Sequence, residues 1–143
     1  MVTSDALDLE ALAEELKLPA VLDREQDWQN AIRLVVPRVL PVKLVRQQAG
    51  RHKVERGGVV QGAPVGAADL SGWIVGRGLR VEIEVKYGDR KVDPSQRRWL
   101  DALAADGCVA LVLRYDTTGT TLTNLYTAVE AVRAALAARE GAA

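Results

Sequence analysis

Apolar and charged residues alternate near the middle of the chain, and this alternation predicts a β-hairpin. Residues 81–86 alternate aliphatic side chains with two glutamates and a lysine. Neighbouring side chains of a strand point to opposite faces, so the pattern predicts one aliphatic and one charged face. A turn at residues 77–78 pairs positions whose numbers sum to 155. That register places Asp69 on the charged face as a diagonal neighbour of Glu84.

Helix and strand patterns follow one another along the rest of the chain. In order, we expect a helix over 6–17, a helix capped by Asp23 and ended by Pro37 and Pro41, a strand over 42–48, a basic glycine-rich loop over 49–66 with a short strand at 59–60, a helix over 93–106, a strand over 108–114 and a helix over 123–139. The strand–helix–strand order after the hairpin implies a right-handed crossover between parallel neighbours. The sequence therefore predicts an α/β fold with a central mixed β-sheet flanked by helices.

Two local signals sharpen this prediction. Asp93 can cap a helix that has Pro94 in its first turn, and Gln96 completes a capping box. Residues 108–114 are almost continuously apolar, as expected of a central strand that is covered on both faces.

Composition restricts the classes of protein that fit. The chain has 143 residues, of which 48% are hydrophobic and 27% charged, as in an ordinary single domain. No apolar run is long enough to span a bilayer and no secretory signal is visible, so we expect no membrane association. The single Cys108 fits a reducing cytoplasm, and one His with one Cys makes a zinc site a poor fit.

Charge is unevenly distributed although the net charge is zero. Residues 1–30 hold eight acidic and two basic residues, whereas residues 31–60 hold seven basic residues and one acidic residue. This segregation indicates a surface that binds a polyanion, or two stretches that pair with each other or are solvated.

The charged face of the hairpin suggests metal chemistry. Carboxylates of Asp69 and Glu84 placed close together repel unless a cation lies between them, and oxygen ligands suit Mg²⁺. Lys86 can then orient a water or offset charge on a phosphate. The simpler interpretation is that Glu82, Glu84 and Lys86 form the solvent-exposed face of a half-buried strand.

Several segments together resemble the VRR-NUC family of the PD-(D/E)XK nuclease superfamily. They are residues 25–32, 66–72, 83–86, 93–97 and 111–114. The resemblance implies a restriction-endonuclease-like core, with a single nuclease domain over 23–143 and an N-terminal helical extension over 1–22. Ala68 stands where relatives commonly have proline, a residue that supplies no ligand.

The resemblance also implies roles for individual residues. Asp69, Glu84 and the backbone carbonyl of Val85 would bind the metal, Lys86 would be the catalytic lysine, Gln96 would lie beside the active site, and Glu25 would be an accessory acid near the metal. Gln96 is equally explained by the capping box, and Glu25 by the preference of acids for helix N-termini. For Glu82 we favour pairing with Arg80 or with an arginine across the sheet over a place near the metal.

The implied activity is a Mg²⁺-dependent, structure-selective DNA endonuclease, with Mn²⁺ able to substitute. Small members of this kind look like dimeric, often phage-encoded Holliday-junction resolvases that act in DNA recombination and repair. We therefore expect a homodimer that cuts four-way junctions in the cytoplasm of a bacterium or a phage-infected host. Alternatives are a nuclease for duplex, flap or single-stranded DNA and a nuclease-like module that binds DNA without cutting it. The residues expected to contact DNA are Arg46, Arg51, His52, Lys53 and Arg56.

Overall fold

A four-stranded mixed sheet with helices on both faces organises this α/β protein. The structure, a computed structural model, describes residues 4–47, 51–53 and 59–141. The helices are α1 (Ser4–Glu15), α2 (Glu25–Val39), α3 (Pro94–Ala105) and α4 (Thr121–Gly141). The strands are β1 (Val42–Arg46), β2 (Arg51–Lys53), β3 (Val59–Gln61), β4 (Leu70–Ile74), β5 (Arg80–Tyr87) and β6 (Val109–Tyr115).

The strand order of the main sheet is β1-β4-β5-β6. β1, β4 and β5 pair antiparallel, whereas β5 and β6 pair in parallel, so the crossover through α3 is confirmed. β5 is an inner strand, with β4 and β6 on its two sides. The expectation of a central position for residues 108–114 is wrong, because β6 is the edge strand of this sheet. Its apolar run is covered by helices on its faces rather than by a further strand.

The β4–β5 hairpin has a longer turn than the sequence suggested. Leu70 pairs with Ile83 and Gly72 with Val81, so paired numbers sum to 153 instead of 155. Residues 75–79 connect the strands, and the N–H of Ile74 donates to the carbonyl of Leu79 at 2.8 Å. A shift of two residues changes the partners but leaves every side chain on its predicted face.

One hydrophobic core lies between the sheet and the helices α1, α2 and α4. It includes the aliphatic face of β5 together with Trp28 and Tyr115, whose rings contact edge to face at 5.3 Å between centroids. Leu9 and Leu12 of α1 are buried in this core. These two side chains attach α1 to the rest of the fold. On the opposite face, α3 packs over β5 and β6.

Two tyrosines anchor the segment that leads into α2, which begins one residue later than predicted. Asp23 was expected to cap this helix, but Arg24 occupies the N-cap position in an extended conformation. The hydroxyl of Tyr115 accepts from the N–H of Leu22 at 3.0 Å, and the hydroxyl of Tyr87 donates to the carbonyl of Leu22 at 2.7 Å. Both backbone groups of Leu22 are thereby held outside the helix.

Pro37 does not end α2, contrary to expectation. It lies inside the helix, which continues to Val39, and Leu40 closes the last turn by donating to the carbonyl of Val36 at 3.0 Å. Val35 and Val36 are fully buried, so packing holds this turn despite the N–H that proline lacks. The next proline, Pro41, lies beyond the end of the helix.

The basic segment after β1 contains a second, two-stranded sheet. β2 and β3 pair antiparallel, with His52 opposite Val60. The short strand expected at residues 59–60 is confirmed, but its partner over 51–53 was expected to be loop.

Candidate active site

The charged face of β5 is buried. Glu82, Glu84 and Lys86 are 0%, 1% and 2% exposed. Charged side chains are rarely this buried without partners, because removing an ion from water costs several kcal/mol. The interpretation of this face as the solvent-exposed side of a strand is therefore wrong, and each charge requires compensation from its surroundings.

Asp69 lies beside Glu84, as expected. It immediately precedes β4, and extending the pairing of Leu70 with Ile83 by one residue places it directly opposite Glu84. Its Oδ2 accepts a hydrogen bond from the N–H of Val85 at 2.8 Å. The two acids are thus direct cross-strand neighbours rather than the diagonal neighbours that the sequence-based register indicated.

Two glycines position the segment that carries Asp69. A Cβ on Gly72 would lie 1.6 Å from the carbonyl oxygen of Lys43, so only glycine allows β1 to approach β4 here. Gly66 has a φ of +93°, and a Cβ there would lie 2.6 Å from the carbonyl oxygen of Ser95 in α3. Glycine is therefore needed both where this segment meets α3 and where it meets β1.

The two carboxylate oxygens of Glu84 have different surroundings. Oε1 accepts a hydrogen bond from Nε2 of Gln96 at 3.0 Å and lies 3.6 Å from Nζ of Lys86. Oε2 is buried and has no hydrogen-bond partner among the described residues. An unpaired buried acceptor is destabilising, and a bound cation would supply the interaction that it lacks.

Burial and neighbouring acids raise the pKa of Glu84 from 4.5 to about 8. Burial is the largest cause, followed by the charge of Asp69 and a hydrogen bond that forms between the two carboxyls only when one of them carries a proton; Glu25 makes a smaller contribution. Without that proton, Oε2 of Glu84 has no partner among the described residues. The ammonium of Lys86 opposes this change and lowers the pKa. The raised pKa favours the protonated carboxyl of Glu84, and a divalent cation bound beside Asp69 would favour its ionised form instead.

Gln96 connects Glu84 to the start of α3. Its Oε1 accepts from the N–H of Asp93 at 2.9 Å, which completes the predicted capping box. With Oε1 engaged in this way, Nε2 is directed to Glu84. The two interpretations of Gln96, as a capping residue and as a residue beside the site, therefore describe one side chain that does both.

Glu25, in the first turn of α2, lies close enough to Glu84 to raise its pKa. Its Oε2 is buried, lies 3.6 Å from Nη1 of Arg90 and has no hydrogen-bond partner among the described residues. This position is compatible with both of its interpretations, as an acid at a helix N-terminus and as an accessory acid near a metal.

Glu82 is occupied by other side chains. Its Oε2 accepts from Nε and Nη2 of Arg80 at 3.1 and 2.9 Å, and its Oε1 accepts from Nε1 of Trp99 at 2.7 Å and Nε2 of Gln47 at 3.2 Å. The preference for an arginine partner is confirmed. With four donors, Glu82 is a buried structural anion that joins β1, β5 and α3.

The donor set for a metal is small. Among residues 4–47, 51–53 and 59–141, no three His, Cys, Asp or Glu side chains converge as a metal-binding group. The oxygen donors in place are the carboxylates of Asp69 and Glu84. Such a set fits Mg²⁺, which binds few protein oxygens and keeps several waters. The unpaired Oε2 of Glu84 supports this fit.

The basic residues expected to contact DNA fall in three places. Arg46 projects from the other face of β1 and donates to Oε1 of Gln26 in α2 at 3.2 Å. Residues 51–53 form β2, in the hairpin apart from the main sheet. Arg56 lies outside the described residues.

Gln47 was not identified from the sequence, yet it holds the segment that contains Asp69. Its N–H donates to the carbonyl of Asp69 at 2.8 Å, and its Nε2 donates to the carbonyl of Ala68 at 2.9 Å and to Glu82. The alternation of β1 places Gln47 on the face of Lys43 and away from the core. What the sequence lacks is any sign that β1 pairs with β4.

No protein-family model, curated protein or solved structure matches this chain. Of the helices described, none combines the length and apolar character needed to cross a bilayer. The function is therefore argued from the geometry of the site itself.

Proposed function

We propose that this protein is a Mg²⁺-dependent endonuclease of the VRR-NUC type that hydrolyses DNA phosphodiester bonds. The observation that carries the proposal is the buried, unpaired Oε2 of Glu84 beside Asp69 and Lys86. Clustered carboxylates are tolerated when a cation neutralises them. The neighbouring Glu82 is a structural glutamate, and both of its oxygens accept hydrogen bonds from surrounding side chains. Glu84 is equally buried but keeps one oxygen unpaired, which a purely structural role does not explain.

Asp69 and Glu84 would hold the metal together with the carbonyl of Val85. The chemistry that Mg²⁺ would supply there is polarisation of the phosphate and activation of a water. Mn²⁺ would substitute, because it accepts the same oxygen ligands.

The protein's own groups position the reactants. The ammonium of Lys86 lies 3.6 Å from Oε1 of Glu84. From there it would orient the attacking water and offset charge that develops on the phosphate. Hydrolysis joins the water oxygen to phosphorus, breaks one P–O ester bond and leaves a proton on the departing oxygen. Gln96 keeps Glu84 oriented throughout, because the capping box fixes its amide.

The substrate that we propose is branched DNA. Contacts to phosphates fix a protein on DNA without reading its sequence, which favours selection by structure. A two-fold homodimer would present two sites to a four-way junction, whose symmetry it matches.

Cleavage of a panel of synthetic DNAs tests this proposal. Four-way junctions, flaps, duplex and single strands are incubated with Mg²⁺ and the wild-type protein, and products are resolved on denaturing gels. We expect junction cleavage that Asp69→Asn and Lys86→Ala abolish and that Glu10→Gln, an exposed control in α1, leaves unchanged. Equal cleavage by Lys86→Ala and the wild type would exclude the proposed site.

A further inference from the structure

An exposed row of three side chains crosses the sheet on the same face as the carboxylates. Trp73 of β4 pairs with Lys43 of β1 on one side and with Arg80 of β5 on the other. Directly paired residues lie on the same face, so the indole stands between two cationic side chains. Trp73 is 47% exposed, in contrast to Trp28, which is fully buried.

Trp73 lies on the same face of the sheet as Asp69 of the candidate active site, which immediately precedes β4. Along β4, Ser71 separates Trp73 from Asp69, and every second residue shares a face. Four residues of strand place Trp73 about 13 Å from Asp69. Val45, 55% exposed and paired with Ser71, extends the apolar surface towards the carboxylates.

We infer that Trp73 is a stacking platform for an unpaired base of the DNA strand whose phosphate lies at Asp69 and Glu84. An exposed indole offers a flat face that stacks on any base, and a basic side chain beside it can hold the backbone of the same strand. Arg80 is paired with Glu82, so Lys43 supplies this charge. Lys43 is exposed and has no ion pair with a described residue, so its charge is available to a phosphate. About 13 Å corresponds to roughly four base steps of B-form DNA at 3.4 Å each, or fewer in a stretched strand.

The inference rests on the proposed nuclease function and narrows its substrates to DNA with unpaired or splayed bases near the cut. A second copy of this chain is the other candidate occupant of the patch. The exposed apolar side chains here are Trp73, Val45 and Val75, none more than 55% exposed. A stable dimer buries about 800 Å² on each partner, far more than three partly exposed side chains offer. The charge of Lys43 beside the indole also favours an anionic strand.

Binding without cleavage provides the test. The full-length protein is titrated in EDTA with a fluorescent oligothymidine and with an oligonucleotide of equal length whose central nucleotides are abasic, and affinity is measured by anisotropy. We expect the wild type to prefer the oligothymidine by about tenfold, because stacking on an aromatic side chain contributes about 1–3 kcal/mol per base. Trp73→Ala should erase this preference, Trp73→Phe should retain most of it, and Lys43→Ala should weaken both complexes equally.

The outcomes separate the two proposals. A preference that survives in Trp73→Ala overturns the platform, whatever the cleavage assay shows. Loss of a dimer in Trp73→Ala by sedimentation, with unchanged affinity for DNA, assigns the patch to a second copy and also overturns it. If the protein cuts no DNA but its preference for oligothymidine depends on Trp73, the stacking platform is supported and the proposed nuclease activity is contradicted.

Discussion

The amide nitrogen of Gln96 donates to Oε1 of Glu84 at 3.0 Å, while the amide oxygen of the same side chain caps α3. A capping residue is fixed by the backbone of its own helix. The orientation of Glu84 is therefore coupled to the start of α3, and its other oxygen is left for a ligand.

Substitutions of Gln96 should separate its two roles. Gln96→Glu keeps the capping box but replaces the donor to Glu84 with a carboxylate oxygen that repels it, so we expect lower thermal stability in EDTA, partly restored by Mg²⁺, and a clearly lower kcat. Gln96→Ala removes both interactions and should also cost about 1 kcal/mol of unfolding free energy. Thermal denaturation and steady-state cleavage check the pair, and full activity in Gln96→Glu would show that Glu84 needs no orienting partner.

Glu84 should make the metal-free protein less stable as pH rises. Its pKa is about 8 in the folded protein, against 4.5 for an unperturbed glutamate. Because folding raises this pKa, its contribution is fully present below pH 4.5 and is lost as pH rises through 8. In EDTA, the midpoint of thermal denaturation of the wild type should fall between about pH 5 and pH 9, and that of Glu84→Gln should fall less. Mg²⁺ should restore the midpoint at high pH only in the wild type. Identical pH profiles for the two proteins would contradict the raised pKa.

Glycine should be indispensable at position 72 but not in the hairpin turn. Gly72→Ala places a Cβ 1.6 Å from a backbone oxygen of β1, so the two strands must separate, and we expect loss of folded protein. Gly76→Ala is the control: it has a φ of +84° but no atom within 4 Å, so only strain of about 1 kcal/mol is expected. Circular dichroism and denaturant titration report both, and a folded Gly72→Ala would contradict the observed strand spacing.

Trp99 should stabilise the fold without serving the chemistry. Trp99→Phe removes one of four donors to the buried Glu82 and should cost about 1–3 kcal/mol of unfolding free energy. Trp73→Phe makes the same chemical change at an exposed position and should leave stability nearly unaltered. Urea titration measures both, while an unchanged KM for Mg²⁺ in Trp99→Phe would confirm that Glu82 is separate from the metal site.

Local patterns predicted much of the fold. The alternation in β5, the capping box at Asp93 and the parallel crossover to β6 all follow from residues within about 30 positions of one another. The alternation of side chains between the two faces of a strand also placed Asp69 and Glu84 on one face. This prediction holds although the turn is longer than predicted, because a shift of two residues leaves every side chain on the same face.

Long-range contacts account for what was not predictable. The segment before α2 is anchored at Leu22 by tyrosines from β5 and β6, far away in sequence. The edge position of β6 depends on which strands the chain supplies beyond it, and no pattern within an apolar run encodes that. Gln47 became part of the site only because β1 pairs with β4.

Calorimetric titration of Mg²⁺ into the metal-free protein decides whether Glu84 is a metal ligand. Glu82 and Glu84 lie two residues apart on the same strand face and are equally buried, so Glu82→Gln is a matched control for Glu84→Gln. We expect wild type and Glu82→Gln to bind Mg²⁺ with release of a proton at pH 7, and Glu84→Gln and Asp69→Asn not to bind. Undiminished binding in Glu84→Gln, or loss of binding in a folded Glu82→Gln alone, would contradict the assignment of Glu84 as the ligand.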